Sequence, residues 1–291
     1  MFAVVGASGK IGHATSLALR EANMPVRAVV RHDSRSDQLR AIGCEIAVAD
    51  LYDSDALAKA IAGAETVQVI VPPSLQANDG AQQMRIAIES IGSALEKTNP
   101  KRVLAISDYG AHVDHDIGMP TMCRTLEARI SKLGGHKVIL RSAEHMQNWA
   151  RAIPAAVASG TLTSFPISTD MPLPIVSAPD VGQIAAKILL QPVEDDRLEV
   201  VHAEGPRRCS VDDVAAVLNQ LLGRNIDVKV ATRSQWKNGL QHAMSPSLAE
   251  LLVKANDALN QGGLIDVEPD SGTVFHGTTD LLDGLRPLLP S

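Results

Sequence analysis

The chain has 291 residues, of which 45% are hydrophobic and 21% are charged. These proportions are those of a globular protein and exclude a disordered chain, a collagen-like chain and a coiled coil. The net charge of −6 and a total of seven aromatic side chains also argue against direct nucleic-acid binding, which requires a basic surface and rings that stack on bases.

The first half of the chain alternates short β-branched runs with segments of helical apolar spacing. Strands are predicted at residues 2–5, 26–30, 45–48, 66–71, 102–107 and 137–141. Helices are predicted between them, one of them with Ser54 at its N-cap and Gly63 just past its end. Strict alternation of strand and helix requires right-handed crossovers and a parallel sheet. The sequence therefore predicts an α/β fold, a Rossmann-type doubly wound parallel sheet with helices on both faces.

After the sixth strand the alternation ends, because five prolines fall between residues 154 and 179. Asp180 is predicted to cap a further helix, and residues 198–202 are predicted to return to the sheet as a strand. Beyond Ser210, another N-cap residue, the sequence is mostly helical, with one short strand at 226–230.

We therefore expect two interleaved domains. The first is a dinucleotide-binding domain of residues 1–152 and 175–205. The second is a smaller α+β cap that binds the substrate, made of residues 153–174 and 206–291.

Cysteine usage and apolar segments bear on the cellular compartment. Cys44, Cys123 and Cys209 lie far apart and form no CxxC pair, so neither a disulfide framework nor a zinc knuckle is expected. The N-terminal apolar run has no cationic region before it and turns at Gly6, unlike a signal peptide. Prolines interrupt the uncharged stretch 152–169, so we expect no membrane-spanning helix and a cytoplasmic protein.

The first predicted strand leads directly into a glycine-rich turn at the start of the first helix. The turn consists of Gly6, Ala7, Ser8, Gly9, Lys10, Ile11 and Gly12. In dinucleotide-binding turns the three glycines allow a sharp bend, close approach of a pyrophosphate and close packing of helix on strand. The helix N-terminus also directs unpaired amides at the phosphates. The motif predicts that this turn binds the pyrophosphate of NAD(P)(H), with Ser8 and Lys10 as further contacts.

Arg31 follows the second strand, where an acidic residue would bind the ribose 2′-hydroxyl of NAD. A guanidinium there offers paired donors to a 2′-phosphate. Ser34 and Arg35 would reinforce such a site, whereas Asp33 leaves a ribose contact open. We therefore predict that NADP(H) is preferred over NAD(H).

Further cofactor contacts are expected where the third, fourth and fifth strands end, since the carboxyl ends of parallel strands meet at one edge. The candidates are Asp50, Leu51, Val71, Pro72 and Ser107. Asp50 would accept from the adenine amino group, and the alternative for it is an ordinary turn aspartate.

Several segments resemble the NmrA-like group of atypical short-chain dehydrogenases. They are the glycine turn, the run Val-Arg-Ala-Val-Val-Arg ending at Arg31, the pair Asp50–Leu51, and Val-Ile-Leu-Arg-Ser-Ala-Glu-His-Met-Gln-Asn at 138–148. Glu-Gly-Pro at 204–206 leading into Ser210 is also typical of that group. The resemblance implies either an NAD(P)H-dependent reductase of quinones, azo dyes or phenylpropanoids, or a catalytically silent regulator that senses the nicotinamide pool.

The tyrosine–lysine pair of ordinary short-chain dehydrogenases is missing. Four residues beyond Tyr52 is Ala56, and four beyond Tyr109 is Val113, so no lysine lowers the pKa of either phenol. Quinone reduction needs less help from the protein, because the developing anion is stabilised by its conjugated ring. Tyr109 and His112, in the loop after the fifth strand, are the predicted proton donors.

Tyr109, Glu144, His145 and Asn148 are the predicted substrate contacts, since all follow the fifth or sixth strand at the same edge. Residues 112–116 hold two imidazoles and two carboxylates, but one loop without a distant partner does not make a zinc site, so no metal is expected. Cys123 falls inside a predicted helix and is expected to be structural.

We expect an NADP(H)-preferring oxidoreductase that reduces a quinone-like or other conjugated small molecule. The alternatives are a non-catalytic redox sensor that acts through a protein partner and a carbonyl reductase that depends on Tyr109. A homodimer is compatible with either function.

Overall fold

The structure is a computed structural model that describes residues 1–193 and 195–290. Its main feature is an eight-stranded sheet in the order β12-β10-β6-β5-β4-β1-β2-β3. The strands are β1 (Phe2–Val5), β2 (Val26–Val30), β3 (Glu45–Val48), β4 (Thr66–Val69), β5 (Arg102–Asp108), β6 (His136–Ser142), β10 (Leu198–Glu204) and β12 (Val274–His276). Every pairing in this sheet is parallel.

Helices cover both faces of the sheet. They are α1 (Lys10–Glu21), α2 (Asp37–Ala41), α3 (Ser54–Ile61), α4 (Gly80–Thr98), α5 (Met119–Ile130), α6 (Ile153–Ser159), α7 (Ala178–Leu189), α8 (Val211–Leu222), α9 (Arg233–Ala243), α10 (Pro246–Gln261) and α11 (Leu281–Leu285). One core lies between the sheet and α3, α4, α5 and α10. The core on the opposite face packs α1 and α7 against the sheet. The predicted doubly wound parallel sheet is confirmed.

Helices α1 and α7 pack in close contact. A Cβ added at Gly182 would lie 2.4 Å from the Ile11 carbonyl oxygen, a distance that no side chain tolerates. Across this contact the Thr15 hydroxyl donates to the Gly182 carbonyl at 3.1 Å. Gly182 therefore allows α7 to hold the helix that follows the glycine turn.

A third core lies beside the sheet and includes residues of α6, α8 and α11. Two short sheets belong to this part of the chain: β8 (Thr161–Ser164) with β11 (Asp227–Val230), and β7 (Glu144–His145) with β9 (Ile175–Val176). The Ser210 hydroxyl caps α8, as predicted, and forms a capping box with Asp213.

Two predicted helix caps are wrong. Asp53, not Ser54, caps α3, because its carboxylate accepts from the amides of Asp55 and Ala56. Ser177 occupies the N-cap position of α7, and Asp180 lies one turn inside. Its carboxylate binds Thr279 instead, at 2.8 Å from the amide and 2.9 Å from the hydroxyl.

Two elements of the predicted cap contact the main sheet. Strand β12 extends the sheet beyond β10, and α10 places Leu248 and Val253 in the core beneath α4 and α5. The proline-containing stretch also holds a helix and a strand, α6 and β8. The domain limits at 152, 174 and 205 remain predictions. Among the described residues, no helix is long and apolar enough to cross a membrane.

Candidate functional site

The candidate site is the edge of the sheet where the parallel strands end. Strand β1 lies between β2 and β4, so the chain progresses outward from it in both directions. At such a switch point the connections diverge and leave a crevice beyond the carboxyl ends of the strands. The glycine turn and the segments after β2, β3, β4, β5 and β6 therefore share this edge.

The backbone geometry of the glycine turn requires glycine at two positions. Gly6 has a φ of +75°, a conformation that side chains disfavour. A Cβ at Gly12 would lie 2.5 Å from the Gly6 carbonyl oxygen and 2.8 Å from Ala7 Cα. By contrast, a Cβ at Gly9 would meet only that carbonyl oxygen, at 3.3 Å. Gly6 and Gly12 thus shape the turn, while Gly9 is exposed and less tightly packed.

The start of α1 leaves its amides unpaired. Gly9 is the N-cap residue and has no side chain to accept from them, whereas Asp79 caps α4. The first helical hydrogen bond runs from His13 N–H to the Gly9 carbonyl at 2.8 Å. The amides of Lys10, Ile11 and Gly12 are therefore available to an anion, and these donors fit the pyrophosphate of a dinucleotide.

The side chains of the turn divide into two groups. Ser8 and Lys10 are exposed beside the amides, where they can add a hydroxyl and a positive charge. Ala7 and Ile11 are buried in the core under α1, so only their main chain is open to a ligand.

Arg31 is exposed directly after β2, and it makes no hydrogen bond or ion pair with any described residue. Ser34 is also exposed, in the short 3₁₀ helix that follows. The Asp33 carboxylate is already bound by Arg40 and Ser36, and the Arg40 hydrogen bond lowers its pKa. The predicted 2′-phosphate residues are thus open to a ligand, whereas the competing carboxylate is engaged.

The residues after β3 and β4 lie at the same edge. Asp50 is exposed, and its Oδ1 accepts the Tyr52 amide at 3.1 Å, which leaves its second oxygen open. Leu51 and Val71 are half-buried and Pro72 is exposed. These residues offer an apolar surface beside the glycine turn.

Ser107 was predicted to contact the cofactor, but in the structure its hydroxyl contacts Glu127. It is buried, and its hydroxyl donates to Glu127 Oε1 at 2.5 Å. Glu127 is also held by Arg141, whose Nε and Nη2 lie 2.9 and 2.8 Å from its two oxygens. The hydroxyl hydrogen is therefore already engaged by Glu127.

Tyr109 faces the protein interior. It has no exposed surface, and its hydroxyl donates to Glu204 Oε1 at 3.2 Å. Burial raises its pKa, as does the nearby Glu204 carboxylate. In this conformation no substrate reaches the phenol, so the geometry argues against the predicted donor and contact roles.

His112 is half-buried, and its Nδ1 is buried with no partner among the described residues. Burial lowers its pKa, with a smaller contribution from Arg141. The imidazole is therefore neutral at neutral pH, a state in which it accepts a proton more readily than it donates one.

Three polar side chains lie where β5 and β6 end: Asp108, Glu144 and His145. Glu144 is exposed to solvent and the other two are half-buried, yet protein surrounds all three densely. Asn148 Nδ2 donates to Glu144 Oε1 at 2.6 Å. His145 Nε2 lies 3.1 Å from Ser142 Oγ, and burial lowers the His145 pKa to about 4. The predicted substrate contacts other than Tyr109 are thus brought together.

Asp108 was missed by the sequence interpretation. Burial raises its pKa to about 8, and the Glu144 carboxylate adds to the shift. Its position in the sequence could have identified it as a candidate, because it lies between Ser107 and Tyr109, which were both predicted site residues. Alternation along the strand directs Asp108 away from the face where Ser107 binds Glu127.

Ion pairs at the same end of the sheet connect β6 and β10 to the loop between α10 and β12. Glu268 of this loop binds Arg141 at 2.6 Å. Asp266 binds Arg208 at 2.6 Å, and Arg208 also holds Glu204 at 2.8 Å. His202 packs edge-on against Tyr109 in the same region, with ring centroids 5.6 Å apart. The loop is thereby anchored over the end of the sheet.

A separate cavity of about 450 Å³ lies beside α9 and α10. Phe165 and Trp236 stack at its wall with ring centroids 3.6 Å apart. Its lining residues all lie in the predicted cap, and none of them is among the individually predicted cofactor or substrate contacts.

Comparison with known proteins identifies this as an NAD(P)H-binding chain. A family model described as NAD(P)H-binding matches residues 6–163. The chain is 25% identical to the NAD(P)H azoreductase of Xenophilus azovorans, with 92% of each chain covered. It is 24% identical to quinone oxidoreductase 2 of Escherichia coli strain K12, over 99% of this chain and 98% of that one.

The fold is shared with solved structures. The triphenylmethane reductase of Citrobacter sp. complexed with NADP(H) superposes with a TM-score of 0.79 at 19% identity, covering 99% of this chain and 100% of that one. Since the NAD(P)H-binding model spans more than half of the chain, this protein belongs to the NAD(P)H-binding family, as its resemblance to the NmrA-like group predicted.

Proposed function

We propose that this protein is an NADP(H)-preferring oxidoreductase that transfers hydride from NADPH to a quinone-like or other conjugated small molecule. The observation that carries the proposal is the row of uncapped amides at Gly9 in a chain of the NAD(P)H-binding family. The curated relatives are named as an azoreductase and a quinone oxidoreductase. They support an oxidoreductase and give no support to a redox sensor.

Each part of the edge has a role in this proposal. The amides after Gly9 hold the pyrophosphate, Asp50 accepts from the adenine, and Val71 and Pro72 flank the nicotinamide side. When bound, the reduced nicotinamide supplies a hydride. Glu144, His145 and Asn148 would orient the acceptor, and the cap residues at 153–174 and 206–291 would select which acceptor fits.

The first experiment measures NADPH absorbance in the presence of a panel of quinones, azo dyes and cationic dyes. We expect NADPH oxidation with at least one conjugated acceptor. A flat absorbance with every acceptor, together with retained NADPH binding, would favour the sensor and overturn the enzyme.

Preference for NADP(H) rests on Arg31. Its exposed guanidinium has no described partner, while Asp33 is bound by Arg40. We expect Arg31→Ala to weaken NADPH binding by ~1 to 3 kcal/mol, since it removes a charge-assisted contact to phosphate. NADH binding should change little. Fluorescence titration with both coenzymes measures this difference.

Arg286→Ala is the matched control, because Arg286 is an exposed arginine on the short helix after α11. It should leave both affinities unchanged. Equal weakening of NADPH and NADH in Arg31→Ala would contradict the 2′-phosphate contact.

Two further expectations belong with this function. Buried free thiols at Cys44 and Cys209 and use of the NADPH pool fit a reducing cytoplasm, which we propose as the location. The partner we propose is the small-molecule acceptor. Light scattering with and without NADPH would test for a homodimer.

A further inference from the structure

The cavity beside α9 and α10, which we call the cap cavity, is formed by three segments of the predicted cap. Phe165 and Ile167 follow β8, Ala231 follows β11, Trp236 lies in the first turn of α9, and the C-terminal half of α10 completes the wall. Its volume of about 450 Å³ lies within the ~300 to 1,000 Å³ of small-molecule sites. Ile167 is 71% exposed, so the cavity is open to solvent on that side.

Direct contacts hold the walls of the cap cavity together. Strand β8 pairs in parallel with β11. The Asn260 Oδ1 accepts the Ile167 amide at 2.8 Å, which fixes α10 to the segment after β8. Arg233 of α9 pairs with Asp257 of α10, with Nε 2.9 Å from Oδ1 and Nη2 2.8 Å from Oδ2. The cavity therefore has the preformed walls that are typical of a binding site.

The lining of the cap cavity favours a planar aromatic molecule without net charge. Phe165 and Trp236 stack with an angle of 28° between their planes, and aromatic rings bind further rings by offset or edge contacts. The Trp236 Nε1–H is buried and donates to no described residue, so an oxygen acceptor on a ligand would give it a partner. The charged lining residues, Arg233 and Asp257, are paired with each other. The cavity therefore presents no net charge.

The cap cavity and the loop after β5 lie on opposite sides of α10. Ala258 packs with Val113 and Ile117 of that loop. Asn256 and Asn260 line the cavity, and each is two residues from Ala258, about 200° around the helix. A ligand in the cap cavity would therefore contact a different face of α10 from the one that meets the loop at the sheet edge.

We propose that the cap cavity is a second small-molecule site, which binds an uncharged planar aromatic compound that carries an oxygen acceptor. The ligand stacks on the Phe165–Trp236 pair, its oxygen accepts from Trp236 Nε1, and the lining amides of Asn256 and Gln261 supply further polar contacts. This site goes beyond the proposed function, because the coenzyme and the hydride acceptor are both assigned to the sheet edge.

The first experiment is a fluorescence titration with coumarin, which is flat, uncharged and carries a carbonyl oxygen. The chain has two tryptophans, so Trp149→Phe retains only Trp236, and the matched variant Trp236→Phe retains only Trp149. We expect coumarin to quench Trp236 in a saturable manner and Trp149 much less. Equal saturable quenching in the two variants would place coumarin elsewhere and overturn the proposal.

The second experiment measures coumarin binding by equilibrium dialysis. In Ala231→Phe the added ring would occupy the cavity, so we expect the affinity to fall at least tenfold. Ala155→Phe makes the same change at an exposed position of α6 and should keep the wild-type affinity. The proposal is overturned if the wild type binds no coumarin, or if Ala231→Phe binds it as tightly as Ala155→Phe does. Should Ala231→Phe fail to fold, Trp236→Ala removes the stacking ring and should show the same loss.

A third measurement separates the cap cavity from the sheet edge. Saturating NADP⁺ should leave the coumarin affinity of the wild type within about twofold, because the two sites share no lining residue. Displacement of coumarin by NADP⁺ would assign the probe to the sheet edge and overturn the second site. None of these measurements depends on enzymatic activity, so failure of the proposed function would leave their results unchanged.

Discussion

The sheet edge beyond β1, β2 and β3 and the sheet edge beyond β5, β6 and β10 differ in the atoms they present. The first offers main-chain amides and exposed side chains such as Arg31. The second is a network of buried ion pairs around Arg141, and beside it His112 Nδ1 and both ring nitrogens of His202 are buried without a hydrogen-bond partner among the described residues. The geometry of a site made of main-chain groups is set by one short segment of the chain. The geometry of a site made of buried charges is set by several segments that are distant in the sequence.

The largest expected effect is on stability, and it comes from removing Arg141, the cation at the centre of the second edge. Arg141→Met leaves Glu127 and Glu268 without their shared cation. We expect a loss of about 3 kcal/mol in the free energy of unfolding, the lower end for breaking a buried pair, because Glu268 remains partly exposed. Urea unfolding measures it.

Arg233→Met is the control, since its bidentate pair with Asp257 is on the surface. It should cost less than about 1 kcal/mol. Equal losses in the two variants would contradict the view that the second edge is held by buried charge.

The glycine turn allows stability and binding to be separated. Gly12→Ala should destabilise the protein by ~1 to 3 kcal/mol, because its Cβ would overlap the Gly6 carbonyl. Gly9→Ala has a φ of −80° and its Cβ would meet only the Gly6 carbonyl oxygen, at 3.3 Å, so it should destabilise the protein less than Gly12→Ala and should lose NADPH affinity. Thermal unfolding and coenzyme titration of both variants check this. Unchanged affinity in Gly9→Ala would place the pyrophosphate elsewhere.

The smallest effect is expected from Tyr109→Phe. Removal of the hydroxyl deletes one buried hydrogen bond, worth about 1 kcal/mol, while Glu204 remains bound by Arg208. Quinone and dye turnover should both be unchanged. Abolished turnover in a folded protein would restore Tyr109 as the donor.

The first edge was predictable because its signals are local. Strand, glycine turn and helix follow one another within residues 2–21, and Arg31 follows the next strand. The same locality explains the wrong cap of α3. Asp53 and Ser54 are adjacent and both are good N-cap residues, so only the backbone decides between them.

The second edge was not predictable in the same way. Strand β12 has three residues, and it becomes a strand only by pairing with β10. The pKa of Asp108 is raised by burial first and then by Glu144 and Glu127, which come from other elements. The burial of Tyr109 against Glu204 depends on a contact 95 residues away. Such features depend on tertiary packing, which a single sequence does not display.

The short helix after β2 has a practical consequence for protein engineering. Its three residues, Asp33–Arg35, include no buried side chain, and Arg31 before it is exposed as well. Substitutions at these positions alter charge without opening a cavity or displacing a neighbour. Coenzyme choice can therefore be redesigned in a small library at positions 31, 34 and 35, with little risk to expression or solubility.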